Sequence, residues 1–189
     1  SVEEWVYDYS LADSIPDGTG QDESMDLLAA AVPVRVVEWY QKLIRMVGWK
    51  LSAMAPASSA ISNLIMSDQG KQDVRRSNCC VMDCGRQGVR LYFYQKGLLF
   101  AKRGLEFCDT EERLLFELEK IWDYYQTCYP GYIPELIYVT GGKRNPLLEA
   151  AITEQLEAEC CDWTKLLDNS QEPVRGLISA EAAGITFWK

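Results

Sequence analysis

The chain has 189 residues, 48% of them hydrophobic and 25% charged, a composition that suits one globular domain or two small ones. A net charge of −9 and a pI near 4.6 speak against nucleic acid as a partner, because phosphate contacts need Lys and Arg. The chain holds no His, which excludes Ser-His-Asp and Cys-His enzymes and removes the commonest metal ligand.

Trp5–Leu11 carries the aromatic and β-branched residues of a strand. A polar loop is expected over residues 13–24, rich in Asp, Gly and Ser. Met25–Val32 is apolar apart from Asp26; Pro33 favours the first turn of a helix, so the run before it is expected to be a strand. From Pro33 to Val47 apolar residues recur at Val37, Tyr40, Ile44 and Val47, which is one helical face, and Gly48 stops that helix. Trp49–Ala55 alternates as a third strand would, and Pro56 opens a short helix through Ile61, Leu64 and Ile65. The polar stretch Ser67–Ser77 is expected to lie at the boundary of two units, a small α+β subdomain over residues 1–70 and a larger domain over 71–189.

The larger domain opens with Asn78–Cys84, a tight turn through Gly88, a second strand, a Lys96-Gly97 turn and a third strand. Apolar runs joined by short Gly-containing turns predict consecutive hairpins. Asp109-Thr-Glu-Glu112 has the capping-box pattern, with Asp109 as the cap of a helix whose apolar side holds Leu114, Leu118, Ile121, Trp122 and Tyr125. Tyr124, Tyr125, Tyr129 and Tyr132 gather at its end, a pattern of ring packing or of a pocket for a partner peptide. Glu135–Thr140 reads as a buried strand ending in Gly141-Gly142. Asn145-Pro146 caps the next helix, Asp162–Leu167 reads as a last strand, and Ser179–Gly184 as a closing small-residue helix.

Three antiparallel strands followed by βαβα give an α/β (α+β) domain with helices on the faces of a mixed sheet. That order is the ribonuclease-H-like half-domain, which is also the repeating half of the actin-like ATPases. The 7 Cys form no Cys-x-x-Cys pair, and the neighbours Cys79-Cys80 and Cys160-Cys161 would face opposite sides of a strand. Reduced, buried thiols are therefore expected, and no metal site. No run of about 18 apolar residues occurs, so direct membrane insertion is not expected. A chain that opens with Ser1 rather than Met is expected to be the downstream part of a longer protein.

Two strand ends carry candidate chemistry. In Asp83-x-Gly85 the Gly would let backbone N–H groups approach phosphate and the Asp would hold a metal-bound water; the same residues also make a plain polar turn. Arg86 and Gln87 follow, where small hydroxyl residues would suit a phosphate better. Gly141-Gly142 would admit a flat ring or another backbone close to the strand end. A two-metal nuclease on this topology needs several converging carboxylates, and the turn after Thr140 supplies none.

With these residues in place, the chain resembles the PilM family, actin-like cytoplasmic proteins of type IV pilus assembly. It is also similar to their FtsA-like relatives in cell division and the cytoplasmic part of GspL in type II secretion. The likeness rests on stretches in the right order. Leu27–Pro33 with its helix resembles the family's small inserted subdomain, Val47–Met54 the following strand and Ala57–Met66 the connecting helix. Val81–Leu91 resembles the second phosphate loop, Ile137–Gly142 the adenosine loop and Ala182–Ile185 the closing helix.

The resemblance implies nucleotide loops at Asp83, Gly85, Arg86, Gln87, Gly141 and Gly142 in degenerate form. No counterpart of the first phosphate loop occurs, and the long insertion expected after the three strands is missing. In-line phosphoryl transfer needs both walls and a positioned metal, so no catalytic residue and no cofactor is expected. The implied role is a cytoplasmic scaffold, held at the inner membrane by its partners, that binds a cytoplasmic segment of a single-pass pilus or secretion protein around Leu27–Met54. The number of copies in the assembly is left open. The alternative is an ATP–Mg²⁺-binding protein whose site is completed by an N-terminal half. A sugar- or acid-kinase relative would need substrate-binding residues that are not recognisable here.

Overall fold

The computed structural model describes residues 4–11, 27–66, 72–106 and 110–167. The expected loop over 13–24 and the closing helix over 179–184 lie outside the described residues. Two compact units divide the chain, Ser1–Pro56 and Ala57–Lys189.

In the first unit β1 (Trp5–Leu11) pairs antiparallel with β2 (Leu27–Pro33), from Trp5 opposite Pro33 to Leu11 opposite Leu27. Helix α1 (Val34–Met46) follows directly, with Pro33 as its N-cap and the Val34 N–H bonded to the Glu4 carbonyl at 2.9 Å. Gly48, at φ +78°, ends it: its N–H reaches the Arg45 carbonyl and the Trp49 N–H the Ile44 carbonyl, both at 3.0 Å. Residues 49–56 carry no strand. The alternation over Trp49–Ala55 therefore misled: its side chains stay half-buried or exposed, and among the described residues no neighbouring strand pairs with their backbone.

The second unit is built on a five-stranded sheet in the order β5-β4-β3-β6-β7. Strands β3 (Asn78–Cys84), β4 (Gly88–Gln95) and β5 (Leu98–Glu106) form the expected antiparallel trio. Strands β6 (Leu136–Thr140) and β7 (Glu159–Asp162) add in parallel beyond β3. Both faces are buried, so the middle of β3 is a continuous apolar run. Cys79 and Val81 point into one core layer with Tyr92, Tyr94, Ile61, Leu64 and Ile65; Cys80 and Met82 point into the other with Leu91, Phe93, Leu118, Trp122 and Ile152.

Helix α2 (Ala57–Met66) supplies the first layer, and this is why the units divide before it and not after residue 70: Ile61, Leu64 and Ile65 are fully buried in the sheet's core. The Tyr94 hydroxyl donates to the Ser58 carbonyl at 3.2 Å and fixes that contact. A short helix α3 (Gln72–Arg76) occupies part of the expected boundary. Helices α4 (Glu111–Cys128) and α5 (Pro146–Leu156) supply the second layer. Thr110 caps α4, accepting the Arg113 N–H, in place of the expected Asp109. Asn145 caps α5 as expected, accepting the Leu147 N–H at 3.0 Å, with Pro146 in the first turn. The last strand among the described residues is Glu159–Asp162, and Trp163–Leu166 is a 3-10 turn capped by Asp162, so the strand lies earlier than Asp162–Leu167. Its pairing to β6 decides this, which residue pattern alone does not reveal.

Candidate functional site

The parallel pairing of β3 with β6 sets Asp83 opposite Thr140, both buried, so the two loops singled out in the sequence leave the sheet side by side. They meet closely. A Cβ on Gly141, which sits at φ +96°, would lie 2.5 Å from the Cys84 carbonyl oxygen and 2.8 Å from Asp83 Oδ1. The Lys143 N–H bonds the same Cys84 carbonyl at 3.0 Å. Gly141 is thus required by the approach of its own chain to the end of β3. Gly142 has open space around it: a Cβ there would meet nothing within 4 Å.

The turn after Asp83 is closed by the Gly85 N–H donating to the Gly88 carbonyl at 3.0 Å. Gly88, at φ +145°, lies under β5: a Cβ there would stand 2.0 Å from the Leu105 carbonyl oxygen. Gly85, exposed Arg86, exposed Gln87 and Gly88 line an open cleft of about 850 Å³ together with Arg90 and Glu106. Asp83, Gly141 and Gly142 are not part of its wall. Five of the six candidate residues therefore fall into two places, Asp83 with Gly141 at the strand ends and Gly85, Arg86 and Gln87 around the turn, while Gly142 joins neither.

Two features escaped the sequence reading. Arg90, across the hairpin from Asp83, brings Nη1 to 3.5 Å of Asp83 Oδ2, a loose ion pair with its cation half-exposed. Arg144 grips Glu149 through two parallel bonds of 2.9 Å and also pairs with Asp162, tying the loop after β6 to α5 and β7. The Glu149 bond, opposed by desolvation, leads in raising the guanidinium above its ordinary value. Burial pushes Asp162 upward, but hydrogen bonds from the Thr164 hydroxyl and N–H and from Arg144 outweigh it and leave the carboxyl lowered. Asn145 Nδ2 in turn donates to Glu111 and joins the starts of the two helices. The only local signal for any of this was the acidic residue placed in each helix's first turn.

As a nucleotide site these residues fit poorly. The Gly85 amide, the donor a phosphate would use, is spent within the turn, and Gly141 faces protein backbone. Among the described residues no group of three or more His, Cys, Asp or Glu could hold a metal ion. The tyrosines form a ring cluster. Phe100 stacks on Tyr132 with centroids 4.7 Å apart and meets Tyr129 edge-on, while Trp122 and Tyr125 are buried against Phe93. Among the described residues no helix is long and apolar enough to cross a membrane.

No family model matches the sequence, and no curated protein does. Among solved structures the chain is similar to a PilM-PilN type IV pilus biogenesis complex, with a TM-score of 0.72 at 15% identity over 95% of this chain and 65% of that one. It is also similar to a protein of Bacteroides thetaiotaomicron with an actin-like ATPase fold and unknown function, with a TM-score of 0.55 at 9% identity over 98% of this chain and 60% of that one. At such identities the likeness is one of fold, and the fold is that of the actin-like ATPases. The chain spans less than two thirds of either matched chain.

Proposed function

We propose that this chain belongs to a non-catalytic, cytoplasmic scaffold of a type IV pilus or type II secretion-like machine. Its first unit, around Leu27–Met54, binds a short cytoplasmic segment of a single-pass inner-membrane partner, through which the scaffold is held at the membrane. The observation that supports this is the state of α1: none of its residues is buried, and Trp39, Tyr40, Leu43 and Met46 are all exposed, as is Trp49 beyond it. Aromatic and apolar side chains left open on a helix are the anchors that a partner buries. A binding role also agrees with the fold-level likeness to a complex whose name pairs PilM with PilN. The test titrates the partner's N-terminal peptide against the intact full-length protein. Saturable binding weakened by Trp39→Ala is expected, and no binding sinks the proposal.

A second reading, ATP–Mg²⁺ binding completed by an N-terminal half, is favoured by one observation, the adjacency of Asp83 and Gly141 at two parallel strand ends. Calorimetric titration of ATP–Mg²⁺ into the full-length protein separates the readings. Micromolar binding lost in Asp83→Asn supports the second; heat no greater than dilution supports the first.

A further inference from the structure

Strand β1 presents a row of rings. Trp5, Tyr7 and Tyr9 share one face of the two-stranded sheet because strand side chains alternate with a period of two. Their partners across the register are Pro33, Ala31 and Ala29. Small residues opposite large rings make a shelf, and the rings on it are open: Tyr7 is 72% exposed, Tyr9 71% and Trp5 42%. Ala29 and Ala31 on this face are exposed as well, whereas Ala30 and Val32 on the opposite face are half-buried. Contiguous apolar surface of this kind marks an interaction site, and Trp and Tyr are the side chains that most often carry binding energy.

Charge indicates the occupant. Residues 1–34 hold eight of the chain's 28 carboxylates and none of its 19 Lys and Arg, the first base being Arg35. This leading segment therefore accounts for nearly all of the net charge of −9. Of these acids Glu4 and Asp8 fall among the described residues, both exposed and, by the same alternation, on the strand's other face. Ring faces attract ammonium and guanidinium groups, and the net negative charge of the segment that carries them steers such cations toward it.

We infer that the Trp5, Tyr7 and Tyr9 face binds a Lys/Arg-bearing peptide segment, with its cations over the rings and its aliphatic stems over Ala29 and Ala31. The source of that segment rests on the proposed function: the cytoplasmic flank of a membrane span carries an excess of Lys and Arg, so the partner has the sign the strand calls for.

The experiment titrates the chain with a labelled peptide alternating Leu with Arg, and with its Leu/Glu counterpart. The Leu/Arg peptide binds and the Leu/Glu peptide does not. Tyr7→Ser/Tyr9→Ser, which leaves every charge in place, weakens binding about tenfold through the loss of two ring contacts. Both tyrosines are largely exposed, so the melting temperature stays unchanged; Tyr7→Arg, which sets a cation on the face, gives the same loss and guards against misfolding of the double variant. Equal affinity of parent and variants, equal binding of the two peptides, or a concentration-dependent dimer that the tyrosine changes abolish would each overturn the inference. Binding of the membrane partner's own peptide that survives the tyrosine changes overturns it too, and leaves the proposed function standing. Ring-dependent binding of the Leu/Arg peptide, with no partner peptide bound at all, supports this face as a basic-peptide site while removing the proposed function.

Discussion

At Gly141 a single missing methyl group decides how two loops meet. The residue sits at φ +96°, and a Cβ would come within 2.5 Å of the Cys84 carbonyl. Gly141→Ala is therefore expected to destabilise the folded chain by about 2–4 kcal/mol, measured as a lowered urea midpoint. A loss of nucleotide binding in such a variant would report misfolding, which is why the neutral change at Asp83 is the better probe. The buried thiols act at the same scale. Burial raises Cys79 and Cys84 from 9.0 to about 12, with Cys161 adding to the first and Asp83 to the second. The folded chain thus keeps protons that the unfolded chain releases between pH 9.0 and about 12, so stability is intact below 9.0 and falls as pH rises beyond it. The urea midpoint is expected to drop on passing from about pH 8 to about pH 10, and to drop less in Cys79→Ala/Cys84→Ala. Equal drops in both proteins would contradict the assignment.

At the scale of elements, α1 and β3 stand at opposite ends of a range. Six consecutive residues of β3 are buried, while α1 buries none. Opening α1 exposes little apolar surface, so its amides are expected to exchange with deuterium at least about 100-fold faster than those in the middle of β3 and β4. Comparable protection would mean that α1 is held by contacts beyond its own unit. Most elements were legible in the sequence because their signals are local. Pro33, Gly48 and Asn145-Pro146 mark helix ends through single-residue chemistry, and the apolar run of β3 announces a strand covered on both faces. The failures came where pairing decides. Trp49–Ala55 alternates but lies in no strand, and the last strand begins at Glu159 because it lies beside β6.

At the scale of the whole molecule, the division between fold and contact falls elsewhere than the polar stretch in the sequence suggests. Helix α2 belongs to the sheet's core, which leaves the first unit with open side chains and with the acidic leading segment, residues 1–34, that carries no Lys or Arg. This is the basis for expecting partner binding there and for titrating the intact protein. The chain alone determined the absence of His chemistry and the strand and helix order of the five-stranded sheet with its two covering helices α4 and α5, and with that order the fold, because composition, periodicity and capping act between near neighbours. Only the tertiary structure decided how the two candidate loops meet and where their backbone groups bond. Whether the Gly85 amide is spent on Gly88, whether Gly141 faces backbone, and whether Arg144 reaches both Glu149 and Asp162 depend on residues brought together by strand register and helix packing. Hydrogen-bond partners across such distances in the chain leave no periodic trace in it.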